Sequence, residues 1–126
     1  MRGVMCWEAC MKTMLRTVQD GELRYEALMF WCPGCEVITD GCKVGGLHML
    51  PVNTDAGGKP RWTFNGDLIR PTLDPSILTR TGPDGSFVCH SYLRNGVFEF
   101  FSDCTHQYAG QHVGIPDLPS WVTAKA

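Results

Sequence analysis

Cys32-Pro33-Gly34-Cys35 is a Cys-x-x-Cys turn that can aim two sulfurs at one point, and tetrahedral zinc then needs two more ligands from elsewhere in the chain. A second pair comes from residues 87–104. Two β-rich runs there flank Arg94-Asn95-Gly96, and Asn-Gly supplies the positive φ angles of a two-residue hairpin turn. With Arg94 facing Val97, Cys89 lies opposite Ser102 and diagonal to Cys104, on one face of the hairpin. Diagonal positions sit about 7 to 8 Å apart by Cα, and two zinc thiolates on bonds of roughly 2.3 Å subtend nearly ~4 Å. Two side chains close that gap. The expected cofactor is therefore zinc, held by Cys32, Cys35, Cys89 and Cys104. The plain alternative is that Cys89 and Cys104 are buried free thiols. Cys42 is the rival ligand, while Cys6 and Cys10 read as packing residues.

Three histidines, His48, His90 and His106, lie near these cysteines, and Asp103 directly precedes Cys104. Hairpin parity turns His90 to the face opposite Cys89, with Phe101 and Asp103 beside it. Such a cluster can hold a second, open zinc or act as general acid and base. Taken singly, each histidine is more often an ordinary surface or hydrogen-bonded imidazole, and one or two can instead replace a cysteine in the structural site, which would remove the acid-base groups. Ser76, Ser91 and Ser102 lie within reach of this region. No Gly-x-Ser-x-Gly elbow is present, so a serine nucleophile carries little weight from the sequence. Trp62 reads as core.

The elements that must position these groups follow from composition and pattern. The chain has 126 residues, 44% hydrophobic and 19% charged, with Lys+Arg 11 against Asp+Glu 13, which fits one small globular domain. A net charge of -2 gives no electrostatic pull toward nucleic acid. No apolar run approaches the roughly 20 residues of a membrane span, and no signal peptide is legible, so the expected setting is the cytoplasm. Seven cysteines cannot all pair internally, and clustered cysteines in a reducing compartment more often hold metal than form disulfides.

Residues Cys6 to Val18 carry apolar side chains at three-and-four spacing, which predicts an amphipathic helix ending at Asp20-Gly21. Alternation from Glu22 to Trp31 predicts a strand running into Cys32, and Leu47 to Val52 reads as extended. Asn53 to Pro60 reads as a loop. Pro71 and Pro75 exclude a helix from Arg70-Pro71-Thr72-Leu73-Asp74-Pro75-Ser76, which reads as an ordered extended loop. Gly110 to Trp121 suits a last short strand and a surface-wrapping tail. The fold expected is α+β, mainly β: a small antiparallel zinc-stabilised sheet, residues 22–126, behind an N-terminal helical extension, residues 1–21.

Six blocks in order also carry a resemblance. They are Phe30-Trp31-Cys32-Pro33-Gly34-Cys35, Gly46-Leu47-His48-Met49-Leu50-Pro51-Val52, Trp62-Thr63-Phe64-Asn65-Gly66-Asp67, Arg70-Pro71-Thr72 with Pro75-Ser76, Cys89-His90-Ser91, and Phe101-Ser102-Asp103-Cys104-Thr105-His106 with Ala109-Gly110-Gln111. Together they resemble a small family abundant in phages and prophages, whose members often carry the label ammonia monooxygenase. Relatives are found in bacterial operons that encode ubiquitin-like proteins. The resemblance implies a metal-dependent peptidase role, with Cys32, Cys35, His48, Cys89, His90, Cys104 and His106 as matching positions and Asp67, Ser76 and Asp103 as polar companions. This chain is longer between Cys35 and His48, where it adds Cys42, and has Leu73-Asp74 where Phe and Ser are usual.

Two main functional expectations follow. The first is a zinc-binding module that engages a protein partner, host or viral. The second is a zinc hydrolase acting on a peptide or isopeptide bond, with His48, His90 and His106 near an activated water and Asp103 or Asp67 assisting. A virion structural component is a third.

Overall fold

A computed structural model describes residues 11–53 and 61–123. The described chain is mainly β, with little helix. In order, the strands are β1 (Met14–Asp20), β2 (Leu23–Trp31), β3 (Val37–Thr39), β4 (Cys42–Val44), β5 (Leu47–Val52), β6 (Thr63–Phe64), β7 (Leu73–Thr81), β8 (Phe87–Arg94), β9 (Val97–Phe100) and β10 (His112–Gly114), followed by the single turn of helix α1 (Ser120–Thr123). They form a three-stranded sheet in the order β1-β2-β5, a five-stranded sheet in the order β10-β9-β8-β7-β6, and the small ribbon β3-β4. All strand pairs are antiparallel. None of the described helices is long and apolar enough to cross a membrane.

Over Met14–Asp20 a strand takes the place of the expected N-terminal helix, and residues 6–10 of that prediction lie outside the described residues. The physical reason is pairing. Met14 to Asp20 run in unbroken register against Met29 to Leu23, and Gly21 at φ 61 supplies the first central residue of the two-residue turn that joins them. Thr13, Thr17 and Val18 are β-branched, and Met14 and Val18 turn inward while their neighbours face water. A helical spacing of apolar residues loses to a full ladder on β2.

β2 is the central strand of its sheet. From Ala27 to Trp31 every side chain is buried, because one face meets the five-stranded sheet while the other is covered by the C-terminal segment. Leu28, Phe30 and Val52 pack against Phe64, Leu73, Ile77, Leu93, Phe98 and Phe100 across the interior. On the far face Met29 packs with Leu118 and Val122. Leu118 N–H donates to the Met11 carbonyl at 2.7 Å, and Lys12 pairs with Asp117 at 2.7 Å, which straps the tail down.

The β8-β9 hairpin turns at Asn95-Gly96, with φ of 50 and 76, and Arg94 faces Val97 as the sequence predicts. One residue knits the two large sheets together. Trp62 makes a parallel bridge to Val52, its N–H donating to the Pro51 carbonyl at 2.9 Å while its carbonyl accepts from Asn53 N–H at 3.1 Å. Its ring packs on the core, as expected.

Candidate active site and metal centre

β7 pairs regularly with β8 from Ile77 to Thr81, but the register shifts between Leu73 and Ile77. Leu73 faces Leu93 and Ile77 faces Ser91, so Asp74, Pro75 and Ser76 together oppose Tyr92 alone. Proline lacks the N–H a ladder needs, and extra residues in one strand bulge outward and re-aim a side chain. Here the bulge carries Ser76 onto the solvent face of β8. Trp62 Nε1–H donates to the Ser76 carbonyl at 3.3 Å and fixes the backbone of that bulge.

On that face Ser76 Oγ lies 3.2 Å from His90 Nε2, and His90 Nδ1 lies 3.3 Å from Asp103 Oδ2. A carboxylate only accepts hydrogen bonds, so Nδ1 carries the proton donated to Asp103 and Nε2 is left to accept from the Ser76 hydroxyl. The imidazole is steadied edge-on by Phe101, with ring centroids 4.1 Å apart. Exposed Leu78 pairs with His90 across the ladder and adds an apolar neighbour on the same face.

Asp103 reaches this position because β9 stops at Phe100. The chain then turns, with Cys104 N–H donating to the Phe101 carbonyl at 3.2 Å, and rejoins β8 two residues out of step. Thr105 N–H donates to the Val88 carbonyl at 2.9 Å, where an unbroken ladder would set Asp103. This slip also decides where Cys104 goes. Its sulfur accepts from His90 N–H and its S–H donates to the His90 carbonyl, both at 3.2 Å. Cys104 therefore clasps the backbone of His90.

On the inner face, Cys32, Cys35 and Cys89 are buried with their sulfurs all within 4.8 Å of one another, close enough to hold a metal ion. Cys32 and Cys89 sulfurs are 3.7 Å apart. Cys32 N–H donates to the Gly46 carbonyl at 2.7 Å, and Trp31 Nε1–H donates to Glu36 Oε1 at 2.7 Å, so both ends of the Cys32–Cys35 turn are held. His48 lies beside Cys35 and stacks on Phe30 with ring centroids 5.2 Å apart. His106 Nε2 lies 3.3 Å from Cys89 Sγ.

The three thiols compete for one negative charge. Hydrogen bonds from Cys32, Cys89 and His48 hold Cys35 far below the usual thiol range. Its bond to Cys35, aided by burial, pushes Cys32 up to about 12, and bonds to Cys32 and Cys35 together with burial push Cys89 higher still. Burial lowers His106 against the opposing charge of Cys35. Only a cation lets all three sulfurs ionise at once, so the donor set fits a thiophilic metal.

Among the expected ligands, the structure brings together Cys32, Cys35 and Cys89, and sets Cys104 against His90 instead. Cys42 is exposed on β4. Cys6 and Cys10 lie outside the described residues. The three histidines do not converge: His90 stands with Asp103 on the outer face of β8, whereas His48 and His106 flank the thiols inside. Asp67 sits on an exposed loop, where its carboxylate accepts from the N–H groups of Ile69 and Arg70; these bonds hold it below the usual carboxylate range. Ser76, given little weight as a nucleophile from the sequence, stands beside His90 in the structure. Its signal was the Pro-Ser pair in an extended segment, which carries no elbow motif.

No curated protein and no solved structure matches the chain. A family model described as "Bacterial ubiquitination-like system serine protease (BubE)" matches residues 6–101, a span that contains Ser76 and His90 and ends two residues before Asp103. With most of its length inside that match, the chain belongs to the BubE family of bacterial ubiquitination-like systems.

Proposed function

We propose that this protein is a serine peptidase of a bacterial ubiquitin-like pathway, with Ser76 as nucleophile, His90 as general base and acid, and Asp103 as the group that orients His90. One observation carries the reading: the unbroken relay from Ser76 Oγ through His90 Nε2 and Nδ1 to Asp103 Oδ2, at 3.2 and 3.3 Å. A hydroxyl, an imidazole and a carboxylate in that order are what acyl transfer needs, on whatever fold they occur. The family match supports the same chemistry and a ubiquitin-like protein as substrate.

In the reaction, Ser76 Oγ attacks the scissile carbonyl carbon as its proton passes to His90 Nε2. Asp103 accepts from Nδ1–H and stabilises the imidazolium that forms. Collapse of the tetrahedral intermediate expels the leaving group, which takes the proton from Nε2 and leaves an acyl ester on Ser76. A water then gives its proton to His90, attacks the ester carbon, and returns the serine. The scissile bond joins the C-terminal carboxyl of the ubiquitin-like protein to whatever follows it. Binding a protein partner, the function favoured by the sequence alone, becomes the first half of this reaction. The setting that fits it is the bacterial cytoplasm. The buried thiol cluster lies on the other face of β8 from the relay, and zinc is the metal that suits it best.

A fluorophosphonate probe tests the nucleophile directly. The expected result is one adduct, mapped to Ser76, absent from Ser76→Ala and greatly reduced in His90→Ala. An adduct elsewhere, or undiminished labelling of the Ser76→Ala protein, overturns the assignment.

A further inference from the structure

The serine relay makes no use of the thiol cluster. Three sulfurs lie together in the core, where unpaired polar groups are costly, and a tetrahedral metal calls for one more donor. Three side chains are near enough to be considered: Cys104, His106 and His48. Cys104 is engaged at both its donor and acceptor sides by the His90 backbone.

His106 is excluded by its proton. Tyr108 N–H donates to His106 Nδ1 at 3.2 Å, so Nδ1 holds a lone pair and the ring proton sits on Nε2. Nε2 is the atom 3.3 Å from Cys89 Sγ, and it is therefore a donor to that sulfur. A ligating imidazole has the reverse arrangement, with its lone pair on the metal side and its N–H directed outward.

His48 meets the requirement. It pairs with Phe30 across the β2-β5 ladder, so its ring shares a face with Phe30 and with Cys32 two residues along. The ladder continues to Cys32 through its bond to the Gly46 carbonyl. Stacking at 5.2 Å and an interplanar angle of 10° locks the ring flat on Phe30, beside Cys35.

We propose that Cys32, Cys35, Cys89 and His48 form a closed four-ligand zinc site, with His106 serving as hydrogen-bond donor to the Cys89 sulfur. Among the thiols the spacing fits: thiolates on a tetrahedral zinc lie roughly 3.8 Å apart, and Cys32 and Cys89 sulfurs are 3.7 Å apart, while the His48 ring, outside the group of donors within 4.8 Å of one another, would be drawn in when the ion binds. Four protein donors leave no position for water, so the site is structural. When bound, the ion would let all three thiols ionise and would fasten the three-stranded sheet, through β5 and the turn after β2, to β8 of the five-stranded sheet. This inference goes beyond the peptidase reading and stands or falls without it.

The test is metal analysis and cobalt substitution of the full chain, with no activity measured. About one equivalent of zinc is expected in both the wild type and Ser76→Ala, and the cobalt form should show intense tetrahedral and thiolate charge-transfer bands that azide leaves unchanged. His48→Ala should bind metal at least about tenfold more weakly and give a cobalt spectrum that responds to azide. Should that variant fail to fold, His48→Cys provides the second arm, shifting the bands toward an all-thiolate pattern. His106→Ala and Cys104→Ser should keep the four-coordinate, azide-insensitive spectrum. Absence of stoichiometric metal from the wild type, a His48→Cys spectrum identical to wild type, or azide sensitivity created by His106→Ala would each overturn the proposal.

Discussion

An alcohol at neutral pH is a poor nucleophile, and in the proposed peptidase what would change Ser76 is its neighbour on the next strand. Nε2 of His90 is available because Nδ1–H is committed to Asp103. Replacing the carboxylate by an amide that can present its own N–H reverses that preference, so Asp103→Asn should lower kcat by about 10⁴-fold with little change in melting temperature. Steady-state kinetics on a ubiquitin-like precursor, alongside thermal unfolding, measures both quantities. Cys104 acts one step back from the chemistry. Its sulfur grips the backbone of His90 from the residue next to Asp103, tying base and orienting group to one point. Cys104→Ala should reduce kcat roughly tenfold while leaving KM unchanged, and should lower stability by about 1 to 2 kcal/mol for the two weak bonds lost. Retained kcat in that variant would assign the clasp to folding alone.

Elements with strong local signals were legible from the sequence, and those decided by distant pairing were not. Asn95-Gly96 can hardly do anything but turn a hairpin, and the alternation around it gave the faces of His90 and Cys89 correctly. Gly96 lies at φ 76, and a Cβ there would meet the Arg70 Cα at 3.2 Å, so Gly96→Ala should cost about 1 kcal/mol or more, read as a fall in melting temperature. Met14 to Val18 satisfy a helical spacing and a strand spacing alike; only β2, unavailable to a local reading, decides between them. The slip after Phe100 was equally invisible, and it moves Cys104 from the metal side to the His90 backbone. Ser76 was hidden because its aim comes from a bulge whose existence depends on the partner register of β7 and β8. A glycine gives a further check on the inner face. A Cβ on Gly34 would run into the His106 imidazole and the Phe100 ring, so Gly34→Ala should destabilise the fold by about 1 to 3 kcal/mol in chemical denaturation, even with metal bound.

Across the described residues, two sheets share one interior and are joined by apolar packing, the Val52–Trp62 bridge, the bond from Phe64 N–H to the Asn53 side chain and the thiol cluster. Removing metal with a strong chelator should therefore lower the midpoint of thermal unfolding by several degrees or more, and readdition of zinc should restore it. A midpoint indifferent to chelation would show that packing suffices. Trp62 stands where these joints meet the chemistry, its backbone bonded to the β5 end of one sheet and its indole N–H to the carbonyl of Ser76 in the other. Indole fluorescence responds to what its N–H touches. The protein thus carries its own optical gauge beside the proposed nucleophile: if Ser76 is acylated, formation and breakdown of the ester should register as a rise and decay of Trp62 emission in stopped flow, silent in a Trp62→Phe chain.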